Sequence, residues 1–216
     1  MDQQPDAPLR AIRHADGSIL AVVSDQKPRL LHGADFDHLS FDCHVVLPLE
    51  AGPARRWLHA LYLLDDSRLI GLLHDEFQGH RDPRLCASGR YKSCWWNSVE
   101  LAWSSDGGNS FQRQTAPVAA LTVPYQGDVG RPVGYFNPSN IISWHGFYFT
   151  AIFAEAFGTQ QRGVCLLRAS DPTQPESWLA WDGRDFTIRL GGAAGLPGKI
   201  CSPVSPGNVQ ASLMTI

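Results

Sequence analysis

Hydrophobic and polar residues alternate over short stretches along most of the chain, a pattern typical of half-buried β-strands and not of a helical bundle. Two stretches share one arrangement of strand, polar turn and strand: residues 57–76 (WLHALYLL, DDS, RLIGLLHDE) and residues 140–155 (NIIS, WHG, FYFTAIFAE). A weaker copy opens the chain with LRAIRH, ADG and SILAVVS. The pattern predicts an all-β fold of short strands joined by tight turns.

A nine-residue segment recurs 65 positions further along the chain. Residues 98–106 (SVELAWSSD) align with residues 163–171 (GVCLLRASD), with matches at Val99 and Val164, Leu101 and Leu166, Ser105 and Ser170, and Asp106 and Asp171. Each copy follows the strand, turn and strand described above. Four-stranded antiparallel units that recur at such a period are the sequence signature of a β-propeller, in which each unit is one blade.

We predict a single propeller domain over residues 1–216, with blades at about 9–48, 57–123 and 140–190 and the first strand of a fourth blade at about 211–216. A closed propeller needs at least four blades, so we expect the chain to be the front part of a longer protein. The alternative is an open β-sandwich built from the same strands without the radial arrangement.

Composition and charge limit the kinds of partner that the protein is expected to bind. The 216 residues are 44% hydrophobic, with 18 Lys and Arg against 21 Asp and Glu, so no basic surplus favours nucleic acid. No apolar run approaches the roughly 20 residues of a membrane span, and the N-terminus lacks the features of a signal peptide. The compartment and the oligomeric state stay open, and an extracytoplasmic location would require further N-terminal residues. A neutral, polar ligand fits best.

The cysteines offer one candidate disulfide. Of the five, only Cys86 and Cys94 lie close together, separated by the turn-forming segment ASGRYKS. Two reduced cysteines in a loop are the alternative. His74 and His80 lack the spacing of a one-face zinc motif and the chain has no CxxC, so we expect neither a metal nor another cofactor.

The segment SSDGGNSF fits the pattern Ser-x-Asp-x-Gly-x-Ser/Thr-aromatic at five positions: Ser104, Asp106, Gly108, Ser110 and Phe111. It resembles the Asp box, or BNR repeat, of sialidases and related propeller glycosidases. Its role is expected to be structural, because Asp106 can accept backbone N–H bonds in the turn while Phe111 packs into the blade. The later copy SDPTQPESW has lost the glycines.

A looser resemblance is to five-bladed glycoside hydrolases, whose blades often carry Asp-Pro-Ser followed by a strand, a turn and Tyr-Tyr. Here the segment reads YFNPSN (residues 135–140), followed by HGFYFT. Asn137 stands where those enzymes commonly have a carboxylate, and the arginine triad of sialidases is not evident as a motif. The resemblance implies a truncated five-bladed propeller that acts on a carbohydrate or a small glycoside.

Propeller geometry predicts where the site lies. The loops after the second strand of each blade open on the same face as the blade connections, around the mouth of the central channel. Glu76 and Glu155 end the second strands of their blades, so we expect them to converge at this mouth. The turn that resembles an Asp box faces the other way.

Cleavage of a glycosidic bond needs a proton donor and a second carboxylate about 5 to 9.5 Å away. The candidates are Glu76, Glu155 and Asp42, with the donor's pKa raised by a neighbouring carboxylate and aromatic walls. Residues in the same loops are candidates for sugar binding: His80, Arg81, Trp95, Arg131, Tyr135, Asn137 and Asn140.

The sequence therefore favours a carbohydrate-active hydrolase with paired carboxylates at a propeller mouth. Two other functions stay open: a propeller that binds a glycan or a protein without chemistry, which Asn137 favours, and a non-functional fragment of a longer enzyme. The alternative for Glu76 and Glu155 is that they are ordinary solvent-exposed residues at the ends of strands. The sugar, the linkage and the stereochemistry of cleavage are not encoded in these patterns.

Overall fold

The computed structural model describes residues 6–25, 27–47, 52–155, 158–191 and 200–206. Within these ranges the chain forms fifteen β-strands and three single-turn 3-10 helices, which confirms the predicted all-β fold. No helix in the described ranges has the length and apolar character needed to cross a bilayer. The end of the predicted first blade at Pro48 and the predicted strand at 211–216 lie outside the described residues, and the predicted domain limits stay a prediction.

The first sheet is antiparallel, with the order β1, β2, β3, β4. Its strands are β1 (Arg10–Arg13), β2 (Ile19–Val23), β3 (Arg29–Gly33) and β4 (Leu39–Val45), with the 3-10 helix η1 (Phe36–His38) before β4. The turn between β1 and β2 is closed by Asp16, whose Oδ1 accepts the backbone N–H of Ser18 at 2.9 Å, and by Gly17 at φ +88°.

The other strands form one extended sheet system. The second unit contains β5 (Ala54–Leu63), β6 (Leu69–Gln78), η2 (Gly79–Arg81), β7 (Trp95–Ser104) and β8 (Gln112–Ala119). The third contains β9 (Val133–Phe136), β10 (Ile142–Trp144), β11 (Phe147–Glu155), β12 (Gly163–Ala169), η3 (Pro175–Ser177), β13 (Leu179–Trp181), β14 (Phe186–Ile188) and β15 (Ser205–Pro206).

Strand β9 joins the second and third units, which the sequence pattern presented as separate sheets. It pairs in parallel with β7 and antiparallel with β11, giving the order β14, β13, β12, β11, β9, β7, β6, β5. Gly134 permits the close approach to β7, since a Cβ there would lie 2.1 Å from the carbonyl oxygen of Asn97. The four residues of β9 lie in a Gly- and Pro-rich stretch too short for a periodic signal.

The central strands, β5 and β6, contribute to the two larger of three apolar clusters in the described residues. On one side, Leu58 and Leu73 pack with Leu20 and Leu30 of the first sheet. On the other, Leu72 packs in a cluster that includes residues of the third unit. Successive side chains of a strand point to opposite faces, so alternation along β5 and β6 serves both clusters. A disulfide that the sequence did not predict, Cys165–Cys201, ties β12 to the segment 200–206.

The turn from Ser104 to Phe111 is held by side-chain hydrogen bonds. Asp106 Oδ1 accepts the backbone N–H of Ser110 at 2.9 Å and the hydroxyl of Ser104 at 2.7 Å. Gly108 has φ +93°, and its N–H donates to Ser104 Oγ at 2.9 Å. Phe111 is buried in the cluster between the first sheet and the central strands. The polar residues of the turn thus fix the point at which Phe111 enters the core.

Candidate functional site

Glu76 near the end of β6 and Glu155 at the end of β11 border two cavities of about 490 and 440 Å³. Both cavities are lined by Lys92, Pro132, Phe136 and Asn137. We call the two together the glutamate mouth, with a first cavity at Glu76 and a second at Glu155. Apart from Lys92, the shared wall comes from the segment around β9, so the strand that joins the two units also borders both cavities.

Strand alternation builds the wall of the first cavity. Trp57 and His59 on β5, and His74 and Glu76 on β6, are each two residues apart and so share a face of their strand. Further lining comes from the loop that follows β6, through Arg81, Tyr91 and Trp95. The sequence predicted Glu76, Arg81, Trp95 and Asn137 as site residues. It was not used to predict His74 and Gln78, which lie two residues before and after Glu76 and share its face by strand alternation.

Glu76 is held in one orientation by a chain of polar contacts. Gln78 Nε2 donates to Glu76 Oε2 at 2.7 Å, and Arg81 Nε donates to Gln78 Oε1 at 2.8 Å. Burial raises the pKa of Glu76, and the charge of Asp6 adds to the rise, against the lowering effects of Gln78 and Lys92. The carboxyl group is therefore fixed in place and retains its proton to a higher pH than a solvated glutamate.

Two histidines contribute a neutral polar surface. The rings of His59 and His74 meet edge to face with centroids 5.5 Å apart, and both side chains are buried. Burial lowers the pKa of both, that of His74 to about 4. His74 Nε2 lies 3.2 Å from Asn97 Oδ1, and the side chains of Asn97 and Asn137 oppose part of the lowering of the His74 pKa. At neutral pH these groups offer hydrogen bonds without charge.

Asp6 is a carboxylate of the first cavity that sequence reasoning missed. The N–H of Ala7 donates to the carbonyl of Ser24 at 3.1 Å, and the Ser24 hydroxyl accepts the N–H of Leu58 at 2.8 Å. These bonds fasten the start of the described chain to β5. The segment MDQQPDAPLR carries no periodicity, so nothing in its pattern indicated this placement.

In the second cavity, the carboxylate of Glu155 forms ion pairs with two arginines. Arg131 Nη1 lies 2.9 Å from Glu155 Oε1, and Arg162 Nε lies 3.0 Å from Glu155 Oε2. Phe153 and Phe136 supply the apolar part of the wall, and the Arg162 guanidinium carbon lies 5.5 Å from the Phe153 ring centre. Each oxygen of Glu155 is therefore ion-paired with an arginine.

A disulfide-closed loop forms the rim between the two cavities. Cys86 and Cys94 are joined, and the loop between them carries Tyr91 and Lys92 to the mouth. Trp95 packs edge to face with Tyr91, their ring centres 5.0 Å apart. Its indole N–H donates to Nδ1 of His80 at 2.8 Å. His80 thus supports Trp95 and does not appear among the described residues that line either cavity.

Three further predicted site residues do not line the mouth, because their side chains make hydrogen bonds to other parts of the fold. Asp42 is exposed on β4, the edge strand of the first sheet, and its Oδ1 accepts the N–H of His44 at 2.8 Å. Tyr135 is buried and its hydroxyl donates to Gln160 Oε1 at 3.2 Å. Asn140 Oδ1 accepts the N–H of Leu61 at 3.2 Å. In the described part of the chain none of the three lines the mouth.

One group of potential metal ligands occurs in the described residues. Sulfur atoms of Cys86 and Cys94 and an oxygen of Asp128 lie within 4.8 Å of one another. The two sulfurs are bonded to each other, so they cannot act as thiolate ligands. The arrangement is that of a disulfide beside a carboxylate.

No protein-family model and no curated protein sequence matches the chain. Solved structures do. A thermostable family-43 glycoside hydrolase matches 83% of this chain and 55% of its own with a TM-score of 0.54 and 10% identity. An α-L-arabinanase from Penicillium chrysogenum complexed with arabinobiose matches 81% of this chain and 49% of its own, with a TM-score of 0.49 and 17% identity.

A family-32 β-fructofuranosidase from Bombyx mori in complex with sucrose covers 88% of this chain and 36% of its own, with a TM-score of 0.45 and 15% identity. The chain thus spans about half the length of the solved structure that it matches with the highest TM-score here, 55% of it. That similarity shows the fold alone: the chain is all-β with the architecture of a partial β-propeller, and not the open sandwich that the strand pattern also allowed.

Proposed function

We propose that the chain forms the substrate site of a carbohydrate hydrolase, with Glu76 as the proton donor. The observation that supports this most is the environment of Glu76: a buried carboxyl group with a raised pKa, oriented by Gln78, at the wall of an open cavity. A general acid must hold a proton near neutral pH and present it at a fixed position. Its fold is one that glycoside hydrolases use.

In the proposed reaction, protonated Glu76 gives its proton to the glycosidic oxygen as the bond from that oxygen to the anomeric carbon breaks. Asp6, in the same cavity, is the second carboxylate: it either attacks the anomeric carbon or removes a proton from the attacking water. Glu155 is assigned to binding, since both of its oxygens accept bonds from arginines. Asp42 is not assigned a catalytic role, because it lies outside the mouth.

Sugar recognition would rest on the aromatic and amide groups of the mouth. Trp95, Tyr91 and Phe136 offer ring surfaces for the apolar face of a sugar, and Asn137 offers an amide to its hydroxyls. Asn137 has φ +45° and lines both cavities. At its position, the five-bladed glycoside hydrolases that the segment resembles commonly have a carboxylate. We also propose that the segment Ser104–Phe111 is an Asp box with a structural role, which the hydrogen bond from the Ser110 N–H to Asp106 supports.

Replacing Glu76 tests the assignment. In the Glu76→Gln variant we expect turnover of the best substrate from a panel of aryl glycosides to fall by at least about 10²-fold, the scale of general acid loss. Wild-type activity should fall as pH rises through the raised pKa of Glu76, because the donor then loses its proton. Glu176→Gln, at an exposed position on η3, is the matched control. Unchanged turnover in Glu76→Gln would remove this residue from the mechanism.

A second function, binding without hydrolysis, is favoured by the amide of Asn137 and by the engagement of Glu155 with two arginines. It predicts that the wild-type protein binds a saccharide while cleaving none of the panel. Calorimetric titration of the same glycosides separates the two functions. Gel filtration and thermal unfolding test the third, that of a non-functional fragment, against which a cooperative monomer would count.

A further inference from the structure

We propose that the second cavity binds an acidic substituent, a carboxylate or a sulfate, of a saccharide whose scissile bond lies in the first cavity. The proposal rests on the proposed function in one respect, that the mouth accepts a saccharide. The structural basis is a local excess of positive charge inside a concave site. Among the residues that the structure describes, Lys92, Arg131 and Arg162 line this cavity together with one carboxylate, Glu155.

This excess is a property of the cavity and not of the protein surface as a whole. The chain has a formal net charge of −3, with 18 basic and 21 acidic residues, yet the cavity collects three cations against one anion. Such a concentration of one sign attracts a ligand group of the opposite sign and raises its local concentration. A neutral sugar would gain nothing from it.

Glu155 lies against both arginines, with Arg131 Nη1 at 2.9 Å from Oε1 and Arg162 Nε at 3.0 Å from Oε2. A guanidinium carries five N–H donors, so an ion pair through Nε leaves the Nη groups of Arg162 able to contact a ligand. Arg162 is also held against the ring of Phe153. Guanidinium groups fixed in this way lose less freedom when they bind a carboxylate or sulfate, which they can contact with two parallel N–H donors.

Lys92 links the charged cavity to the reaction site. It lines both cavities, and its Nζ lies 5.5 Å from the ring centres of both Tyr91 and Trp95. The disulfide between Cys86 and Cys94 closes the loop that carries it. A saccharide that stacks on Trp95 with its bond at Glu76 would therefore extend past Lys92 towards Arg162, and its acidic group would meet the cations.

Matched pairs of saccharides test the proposal by direct binding, which needs no turnover. Oligosaccharides of galacturonate and of glucuronate would be titrated against their carboxyl-reduced neutral counterparts, and sulfated oligosaccharides against their desulfated forms, by calorimetry. We expect at least one acidic member to bind about tenfold more tightly than its neutral partner, as expected for charge-assisted hydrogen bonds. Which pair shows the preference distinguishes carboxylate from sulfate. The preference should weaken at high salt.

Variants locate the preference. Lys92→Gln/Arg162→Gln should reduce it to within about twofold, whereas Arg13→Gln/Arg68→Gln, which removes the same two positive charges at positions that line neither cavity, should leave it intact. Equal affinities within every pair, absence of binding by any acidic member, or an undiminished preference in the double variant would overturn the proposal. Failure of Glu76→Gln to reduce turnover would leave these binding results unaffected, so the two ideas fail separately.

Discussion

Asp75 is a buried carboxyl group that belongs to a charge network outside the mouth. Arg56 Nε lies 3.0 Å from Asp75 Oδ1 and 3.0 Å from Glu100 Oε2, and Arg113 Nη1 lies 3.2 Å from Glu100 Oε1. Burial, and next the charge of Glu100, raise the pKa of Asp75 to about 7, while the two arginines act in the opposite direction. Desolvation of the charged form outweighs the ion pair at this position.

This raised pKa predicts how stability depends on pH. Between about pH 4, the ordinary pKa of an aspartate, and pH 7, the folded protein holds a proton at Asp75 that the unfolded chain has released. The stabilisation is complete below about pH 4 and is lost as pH rises through about 7. Relative to Asp75→Asn, the wild-type free energy of unfolding should therefore fall by at least about 1 kcal/mol over this range.

Urea denaturation of both proteins at several pH values measures this difference. The exposed substitution Asp37→Asn, on η1, serves as the control and should follow the wild-type curve. A wild-type protein that gains stability relative to Asp75→Asn between pH 4 and 7 would show instead that Arg56 keeps Asp75 ionised. The network would then stabilise the fold as an ion pair, and desolvation would be the smaller effect.

At the scale of elements, local patterns predicted the long strands and missed the short connections. Strands β5, β6 and β11 have nine or ten residues each, and their alternation shows which residues share a face. Strand β9 has four, and its parallel pairing with β7 is a contact between distant parts of the chain. Such pairing depends on tertiary packing, which a local pattern does not contain.

The candidate site likewise contains residues that the sequence pattern predicted and residues that it did not. Strand alternation placed Glu76 and Glu155 at strand ends, and both border the mouth. Asp6 reaches it through hydrogen bonds of the chain start, and Arg162 through the loop before β12. Neither position has a periodic neighbour to reveal its direction. The expectation for Asp42 depended on a connection pointing inwards, but the residue lies within an edge strand, exposed to solvent.

Gly134 offers a test of the role of β9. The Gly134→Ala variant would place a Cβ 2.1 Å from the Asn97 carbonyl oxygen at φ +111°. We expect it to lower the free energy of unfolding by about 2 kcal/mol more than Gly130→Ala does, a typical cost of overpacking. Gly130 has a similarly positive φ of +79° and nothing within 4 Å, so the comparison isolates the steric clash from the backbone strain.

The same variant should weaken saccharide binding, because displacing β9 moves Phe136 and Asn137, which line both cavities. Thermal or urea unfolding gives the first quantity and calorimetric titration the second. If Gly134→Ala and Gly130→Ala proved equally stable, β9 could be moved away from β7 at no cost, and the join between the two units would not be rigid.

At the scale of the whole molecule, strands β5 and β6 contribute buried apolar side chains to a cluster on each of their two faces. Leu58 of β5 and Leu69 and Leu73 of β6 are fully buried in the cluster that includes the first sheet, while Ala60 of β5 and Ile70 and Leu72 of β6 are fully buried in the other cluster. Separating either neighbour would expose buried apolar side chains of both strands. Because apolar surface is buried on both faces, we expect the three units to unfold as a single cooperative structure.

This coupling predicts that damage to either cluster destabilises the whole protein. Leu20 in the first sheet and Leu167 in the third unit are both fully buried, so Leu20→Ala and Leu167→Ala should each lower the free energy of unfolding by about 2 to 5 kcal/mol. Each variant should still unfold in one transition, with the wild-type dependence on urea concentration, because no unit survives without its neighbours. Leu9→Ala, at a side chain 43% exposed, should change stability by less than about 0.5 kcal/mol. Two separate transitions, seen by tryptophan fluorescence and circular dichroism in either buried variant, would show that the units fold independently.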